Sequence, residues 1–288
     1  MSAVGRGDSQ GGTARAVEVV VAPDEADLAS GLLWGAGVAA VAEHPEDGGR
    51  VRLRADVPHG GVDAVRAALG GRWPVAEVRV DDGLDAWRAH AQVVRAGRRL
   101  VVRPPWVPPG QVGPDDVVVE IDPGPTFGHG AHPTTRLCLA ALEEELAARP
   151  GATVLDVGCG SGVLAVAAAR LGASRVVAVD VDPAAVEVTR ANAAANGVAD
   201  RVSAALVAPR EGSMASVAEG FDVAVANIGA AALVSLGPDL VSRVAPGGAL
   251  VLSGLLDPPP PEVAAAYSEL DEPDAWVIDG WAALRFRL

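Results

Sequence analysis

Between residues 51 and 57, Val51, Leu53, Ala55 and Val57 alternate with Arg52, Arg54 and Asp56. A period of two gives a strand one apolar face. On either side the period changes. "AVEVVVA" reads as a strand, and "DEADLASGLLWGAG" places Leu28, Leu32 and Leu33 at helical spacing before a closing Gly. "VAAVAE" is a strand that leads through the turn "HPEDGG" into the alternating one. "GVDAVRAALGG" is a short helix stopped by Gly, and "PVAEVRV" is a fourth strand. The order β-α-β-β-α-β over residues 16–80 predicts a small α+β domain of the ferredoxin-like kind. Many functions use that fold, so it assigns none.

Residues 81–115 read as a linker and the start of a second domain. "LDAWRAHAQVVRAG" predicts a linker helix, and "RRLVVRPPWVPPG" a strand broken by paired prolines. Across this stretch Arg88, Arg95, Arg98, Arg99 and Arg103 follow one another with no acid between them. Such a stripe is either a face paired within the molecule, the plainer reading, or a contact for a partner or a ligand carboxylate.

Residues 116–288 form the larger domain. "PTTRLCLAALEEELAARPG" has Pro in its first turn and Gly past its end, as helices prefer. "TVLDVGCGSG" is a buried strand entering a Gly-rich turn, "VLAVAAARLG" its helix and "RVVAVDVD" the next strand. In "DPAAVEVTRANAAANG", Asp182 is a helix N-cap, Pro183 sits just inside, and Asn196-Gly197 is the stop. "RVSAALVA", "FDVAVANI" and "GALVLSGL" supply three more strands, "EVAAAYSEL" a helix, and "DAWVID" with "WAALRFRL" a closing antiparallel pair. Strands alternating with helices predict a doubly wound, Rossmann-like α/β sheet.

The chain of 288 residues is long enough for a domain of ordinary size plus a small one. All 23 basic residues are Arg, so a lysine-directed enzyme of this sequence could not modify its own side chains. The formal charge of -14 disfavours nonspecific nucleic-acid binding and tolerates a basic partner. Two cysteines, Cys138 and Cys159, provide neither a disulfide framework nor a zinc site, which fits a reducing, cytoplasmic setting. Residues 1–15 lack the apolar segment of a signal peptide and read as a disordered tail. No apolar run is long enough to cross a bilayer.

The candidate chemistry lies at the Gly-rich turn. In "DVGCGSG", Gly158, Gly160 and Gly162 follow a strand and precede a helix, and Asp180 ends the next strand 22 positions after Gly158. An acid there can accept from ribose hydroxyls. The spacing G-x-G-x-G is not the dinucleotide fingerprint G-x-G-x-x-G. Asp156, just before the first Gly, is ill placed beside a pyrophosphate, which needs donors. It suits a ligand with an ammonium and a sulfonium and no phosphate, namely S-adenosylmethionine. Asn227 in "VANIG" ends another Val/Ala-rich strand at the same sheet edge. Its amide could orient an amine, or it could simply open a loop. Spacing alone leaves both open. His129 and His132 in "IDPGPTFGHGAHPTT" lack a third metal ligand, so this stretch reads as a lid beside the ligand, with His132 capping the helix or tying down the loop. Cys159 reads as a small packing residue.

These motifs together resemble the bacterial ribosomal protein L11 methyltransferases of the PrmA type. The resemblance rests on "DPGPTFGHGAHPTT", "VLDVGCGSGVLAVAAARLGA", "VAVDVDPAAVEVTRANAAANGV", "VANI" and "GGALVLSGLL". The Gly-rich motif belongs to methyltransferases in general; the loop before it is far more specific. The resemblance implies a class I methyltransferase domain behind a ferredoxin-like domain that recognises the ribosomal protein. It also implies methylation of lysine side chains or the N-terminal amine, with Thr135, Gly158, Asp180 and Asn227 on the cofactor. Thr135, in the first helical turn, would meet the cofactor carboxylate. No dedicated base is visible; Asn227 would orient the amine and solvent would take the proton. The enzyme is expected to be a monomer. The chain departs from the family pattern at His129, Ala131 and Gly229, and the segment "AAALVSLG" lacks the family's Gly-Pro. All of these lie on the lip of the expected acceptor site. The rivals are a same-fold methyltransferase for another protein or a small-molecule amine, and a non-catalytic cofactor-binding module.

Overall fold

The computed structural model describes residues 15–36, 38, 40–46, 48–57, 61–79, 92–124, 126, 130–207 and 213–288. The chain divides into two compact units, 1–89 and 90–288. The expected tail lies outside the described residues up to position 14, and Arg15 already belongs to a strand.

In the first unit, strands β1 (Arg15–Val21), β2 (Ala40–Glu46), β3 (Arg50–Val57) and β4 (Val75–Arg79) form one sheet in the order β2-β3-β1-β4. All neighbours are antiparallel. Helices α1 (Ala26–Gly35) and α2 (Val62–Leu69) complete the expected order. The alternation of β3 does what its period requires: Leu53, Ala55 and Val57 are buried with Val17, Val19, Leu33, Val65 and Leu69. The structure departs from the pattern at "HPEDGG". His44, Pro45 and Glu46 continue β2 and pair with β3, and the turn falls at Gly48 and Gly49, whose φ values are 78° and 71°. Pro45 is tolerated because β2 is an edge strand, where a missing N–H leaves no neighbour unpaired.

The second unit opens with β5 (Val94–Ala96), β6 (Leu100–Arg103) and β7 (Val117–Glu120), a small sheet in that order. The linker helix expected up to Gly97 is therefore corrected at its end: Val94–Ala96 is a strand, and residues 84–91 lie outside the described residues. Gly97, at φ 64°, starts the hairpin turn that a helix would have to run through. The turn is gripped from α3 (Pro133–Ala148): the buried Glu143 carboxylate accepts the Arg98 amide at 2.6 Å and the Arg99 amide at 3.1 Å. Three side chains of the basic stripe are paired within the molecule, Arg95 to Asp116 at 2.7 Å, Arg99 to Glu143 at 3.1 Å, and Arg103 to Glu120. Arg88 lies outside the described residues.

The large sheet follows. Its strands are β8 (Thr153–Val157), β9 (Arg175–Asp180), β10 (Val202–Leu206), β11 (Phe221–Asn227), β12 (Val244–Leu256), β13 (Asp274–Ile278) and β14 (Trp281–Arg287). They lie in the order β10-β9-β8-β11-β12-β14-β13. The first five are parallel, and β14 runs antiparallel to both β12 and β13. Helices α4 (Val163–Arg170) and α5 (Pro183–Ala195) follow β8 and β9. Helices α6 (Ala230–Ser235) and α7 (Gly237–Arg243) fill the connection that the sequence pattern left unassigned, and α8 (Pro261–Ala266) follows β12. In β11, Val223 and Val225 face the core built with α3 and α4, while Ala224 and Ala226 face the one holding Leu233, Leu240 and Val263. With both faces covered, the strands read as continuous apolar runs. From β8 the chain winds one way through β9 and β10 and the other way through β11 and β12. That reversal leaves a crevice at the carboxyl ends of β8 and β11, where ligands of such sheets bind.

Candidate functional site

A cavity of about 690 Å³ opens at that crevice. Thr126, Thr135, Gly158, Gly160, Asp180 and Asn227 all line it. Four of these, Gly158, Gly160, Asp180 and Asn227, end or follow β8, β9 and β11; Thr135 comes from the first turn of α3.

The turn after β8 is built by its glycines. Gly158 has φ 76°, a left-handed conformation that costs an L side chain about 1–2 kcal/mol. A Cβ there would also collide with Ile228 Cγ2. Four amides of this turn are spent inside the protein. Gly158 and Cys159 donate to Val179 O at 2.8 and 3.1 Å, Gly160 to Asp180 Oδ2 at 2.9 Å, and Gly162 to Cys159 O at 2.7 Å. A phosphate cradle needs such N–H groups free and aimed at the ligand. This turn therefore cannot serve a pyrophosphate in the dinucleotide manner.

Asp180 bridges two elements. Its Oδ2 holds Gly160 and its Oδ1 accepts the Asp182 amide at 2.9 Å. Asp182 in turn caps α5, accepting from Ala184 N at 2.8 Å, as its place before Pro183 predicts. Asp156 behaves differently from its neighbours. It is fully buried and is not part of the cavity wall. Its Oδ2 accepts the Ala165 amide of α4 at 3.0 Å, while Oδ1 has no partner among the described residues. Burial pushes its carboxyl up to about 7, against the pull of the Ala165 N–H and with a smaller push from Asp180.

On the opposite wall, Asn227 Nδ2 donates to Thr135 Oγ1 at 3.4 Å, joining residues 92 positions apart. That bond turns the amide oxygen of Asn227 away from Thr135. His132 is the N-cap of α3: Nδ1 accepts from Thr134 N at 3.4 Å and lies 2.8 Å from Thr134 Oγ1. Trp281 packs edge-on to its ring at 4.8 Å, and burial holds its basicity below that of an ordinary histidine. His129 lies outside the described residues, and no group of three metal-binding side chains is found among those described. Cys159 packs against Thr189 Oγ1 at 3.3 Å, and burial raises its thiol to about 12. At neutral pH it is no nucleophile.

Two further residues act on the site: Asn192, which had no role in the sequence pattern, and Asn196, read there only as a helix stop. Asn192 Nδ2 donates to Asp122 O at 2.9 Å and Ser161 O at 2.8 Å, and its Oδ1 accepts Asp122 N at 3.1 Å. Asn196 grips Glu120 in the same two-handed way, at 2.8 and 2.6 Å. Together they hold the backbone entering the Pro/Gly-rich loop against α5. The available signal was a polar residue on the buried face of a helix, in "RANAAANG".

A family model described as ribosomal protein L11 methyltransferase (PrmA) matches residues 64–288. A ribosomal protein L11 methyltransferase of Geobacter sp. (strain M21) is 48% identical over 218 residues, 74% of this chain and 69% of the relative. That of Cupriavidus necator is 42% identical over 225 residues, 78% and 69% of the two chains. Among solved structures, a ribosomal protein L11 methylase from Lactobacillus delbrueckii subsp. bulgaricus superposes with a TM-score of 0.59 at 32% identity, over 68% of this chain and 97% of that one.

Proposed function

The chain belongs to the ribosomal protein L11 methyltransferase family, and on that premise we propose that it transfers methyl groups from S-adenosylmethionine to amines of ribosomal protein L11. The observation that carries the cofactor is the chemistry of the cavity wall. Its described lining contains no basic residue, four turn amides are spent, and the acids are Asp180 and Asp182. Such a wall rejects phosphates and fits a ligand that carries positive charge. When bound, S-adenosylmethionine supplies a methyl group on sulfonium sulfur, which passes to the amine nitrogen as the sulfur keeps the bond pair.

The protein's own residues do the rest. Asp180 would hold the ribose hydroxyls, and the turn at Gly158 and Gly160 would admit the cofactor to close backbone approach. Thr135, at the N-terminus of α3, would meet its carboxylate. Asp156 would act from beneath, by holding α4 to the turn. Asn227 would receive the acceptor. Its Nδ2 is committed to Thr135, so Oδ1 is the group left to accept an amine N–H. A lysine amine, with an ordinary pKa of about 10.4, must lose a proton before it can attack. An apolar mouth lowers that value by disfavouring the charged form, and solvent takes the proton. Holding the neutral nitrogen in line is most of the remaining task. The reading places the enzyme in the cytoplasm, working as a monomer, with its first unit recognising the ribosomal protein.

The test is intact mass of ribosomal protein L11 made in an unmethylated background and incubated with this protein and S-adenosylmethionine. Increments of one methyl mass are expected, and none with Asp180→Ala. Cofactor binding by calorimetry without any increment would move the reading to a different amine, with His129, Ala131 and Gly229 as the residues to examine. Absence of cofactor binding would refute it.

A further inference from the structure

Ile228 is held between two glycines, Gly158 just after β8 and Gly254 within β12. A Cβ on Gly158 would collide with Ile228 Cγ2. A Cβ on Gly254, at φ 88°, would come within 2.7 Å of the Ile228 carbonyl carbon and 3.0 Å of its nitrogen. The Ile228 amide donates to Ser253 O at 3.2 Å. The backbone of this residue is thus seated against Ser253 and Gly254 near the end of β12, and one arm of its β-branch lies on the turn after β8. Its side chain lines the cavity, and the residue before it is Asn227.

We infer that Ile228 is a positioning residue that fixes the separation between the turn at Gly158 and the amide of Asn227. The inference rests on the methyltransferase reading, in which the donor sits over that turn and the acceptor nitrogen at Asn227. The two glycines support it. Each position excludes even a methyl group, and at each the atom in the way belongs to Ile228. A β-branched side chain is restricted at χ1, so the Cγ2 arm is a stiff spacer. Leucine has the same size, but it branches one carbon later and has no second arm on Cβ. If Ile228 merely filled space, volume would decide, and leucine would replace it better than valine. If the β-branch is the spacer, valine replaces it and leucine does not.

The experiment compares Ile228→Val and Ile228→Leu after thermal melting shows that both fold. Three quantities are read: turnover on ribosomal protein L11, cofactor affinity by calorimetry, and the Asn227 side-chain amide signal in nitrogen-15 NMR, assigned by its loss in Asn227→Asp. Misplacement by about 1 Å costs on the order of a hundredfold in rate. The leucine variant should lose roughly that factor in kcat, with KM and cofactor affinity nearly unchanged and the Asn227 signal shifted. The valine variant should stay within about threefold of the parent, roughly 0.6 kcal/mol at the barrier, with the signal in place. Equal turnover and signal in the two variants, or better retention by leucine, would overturn the inference. If the parent protein methylates nothing, the functional reading fails, and the NMR comparison still decides whether the β-branch positions Asn227.

Discussion

Replacing Asp156 by Asn tests the physical account of the floor beneath the site. Asp156 is fully buried, with one oxygen on the Ala165 amide and the other without a partner among the described residues. A buried carboxylate with one hydrogen bond is expensive as an anion and cheap as an acid. Its carboxyl is accordingly pushed up to about 7 by burial, against about 3.9 in an unfolded chain. Between those values the folded protein keeps a proton that the unfolded chain has lost. Stability therefore falls as pH rises through that window, and it is constant above about 7. A window about three pH units wide corresponds to about 4 kcal/mol in total. Asn keeps an oxygen for the Ala165 amide and carries no charge, so its stability should lack this slope. The assay is urea unfolding of both proteins, free of ligand, at about pH 4, 6 and 8. The stability of Asp156→Asn minus that of the parent should rise by about 2–4 kcal/mol between the first and last conditions, most of it by neutrality. A difference that stays constant within about 0.5 kcal/mol would show that Asp156 is ionised in the folded protein. The account of its environment would then be wrong.

Three other outcomes follow from the geometry. Asn227→Ala should lower turnover by about tenfold to a hundredfold while cofactor affinity by calorimetry changes less; unchanged turnover would remove Asn227 from the mechanism. Glu143→Ala strips the acceptor from the Arg98 and Arg99 amides and should cost about 2–4 kcal/mol, with hydrogen exchange accelerated at those two amides; unchanged protection would show that the turn holds itself. His132→Ala should cost about 1 kcal/mol as a lost helix cap, and His132→Asn should restore most of it; equal melting temperatures for the two variants would exclude a capping role.

Much of the fold was legible because periodicity is local. The alternation at Val51–Val57, the strand-turn-helix at "VLDVGCGSG" and the cap at Asp182-Pro183 each depend on residues within a few positions of one another. Such signals can be recognised without knowing what packs against them. The same reasoning failed where neighbours decide. "LDAWRAHAQVVRAG" has helical spacing, yet Val94–Ala96 pairs with β6 because Glu143, more than forty residues away, holds the turn at Arg98 and Arg99. Pro45 looked like a turn and is a strand, because β2 lies at an edge.

A Gly-rich turn opening at a parallel strand's end with acids at hand could be read from the residues in order, and the resemblance they carry named the family. What each of those residues touches depends on how the strands are ordered in the sheet. That order set Asp180 on the Gly160 amide and sent Asp156 beneath the cavity wall. It brought Thr135 to Asn227 across 92 positions, and it wedged Ile228 between Gly158 and Gly254. The physical reason is that the order of strands in a sheet is fixed by non-local pairing and burial. Spacing along the chain records which residues can stand at a strand's end; the strand order decides which of them meet.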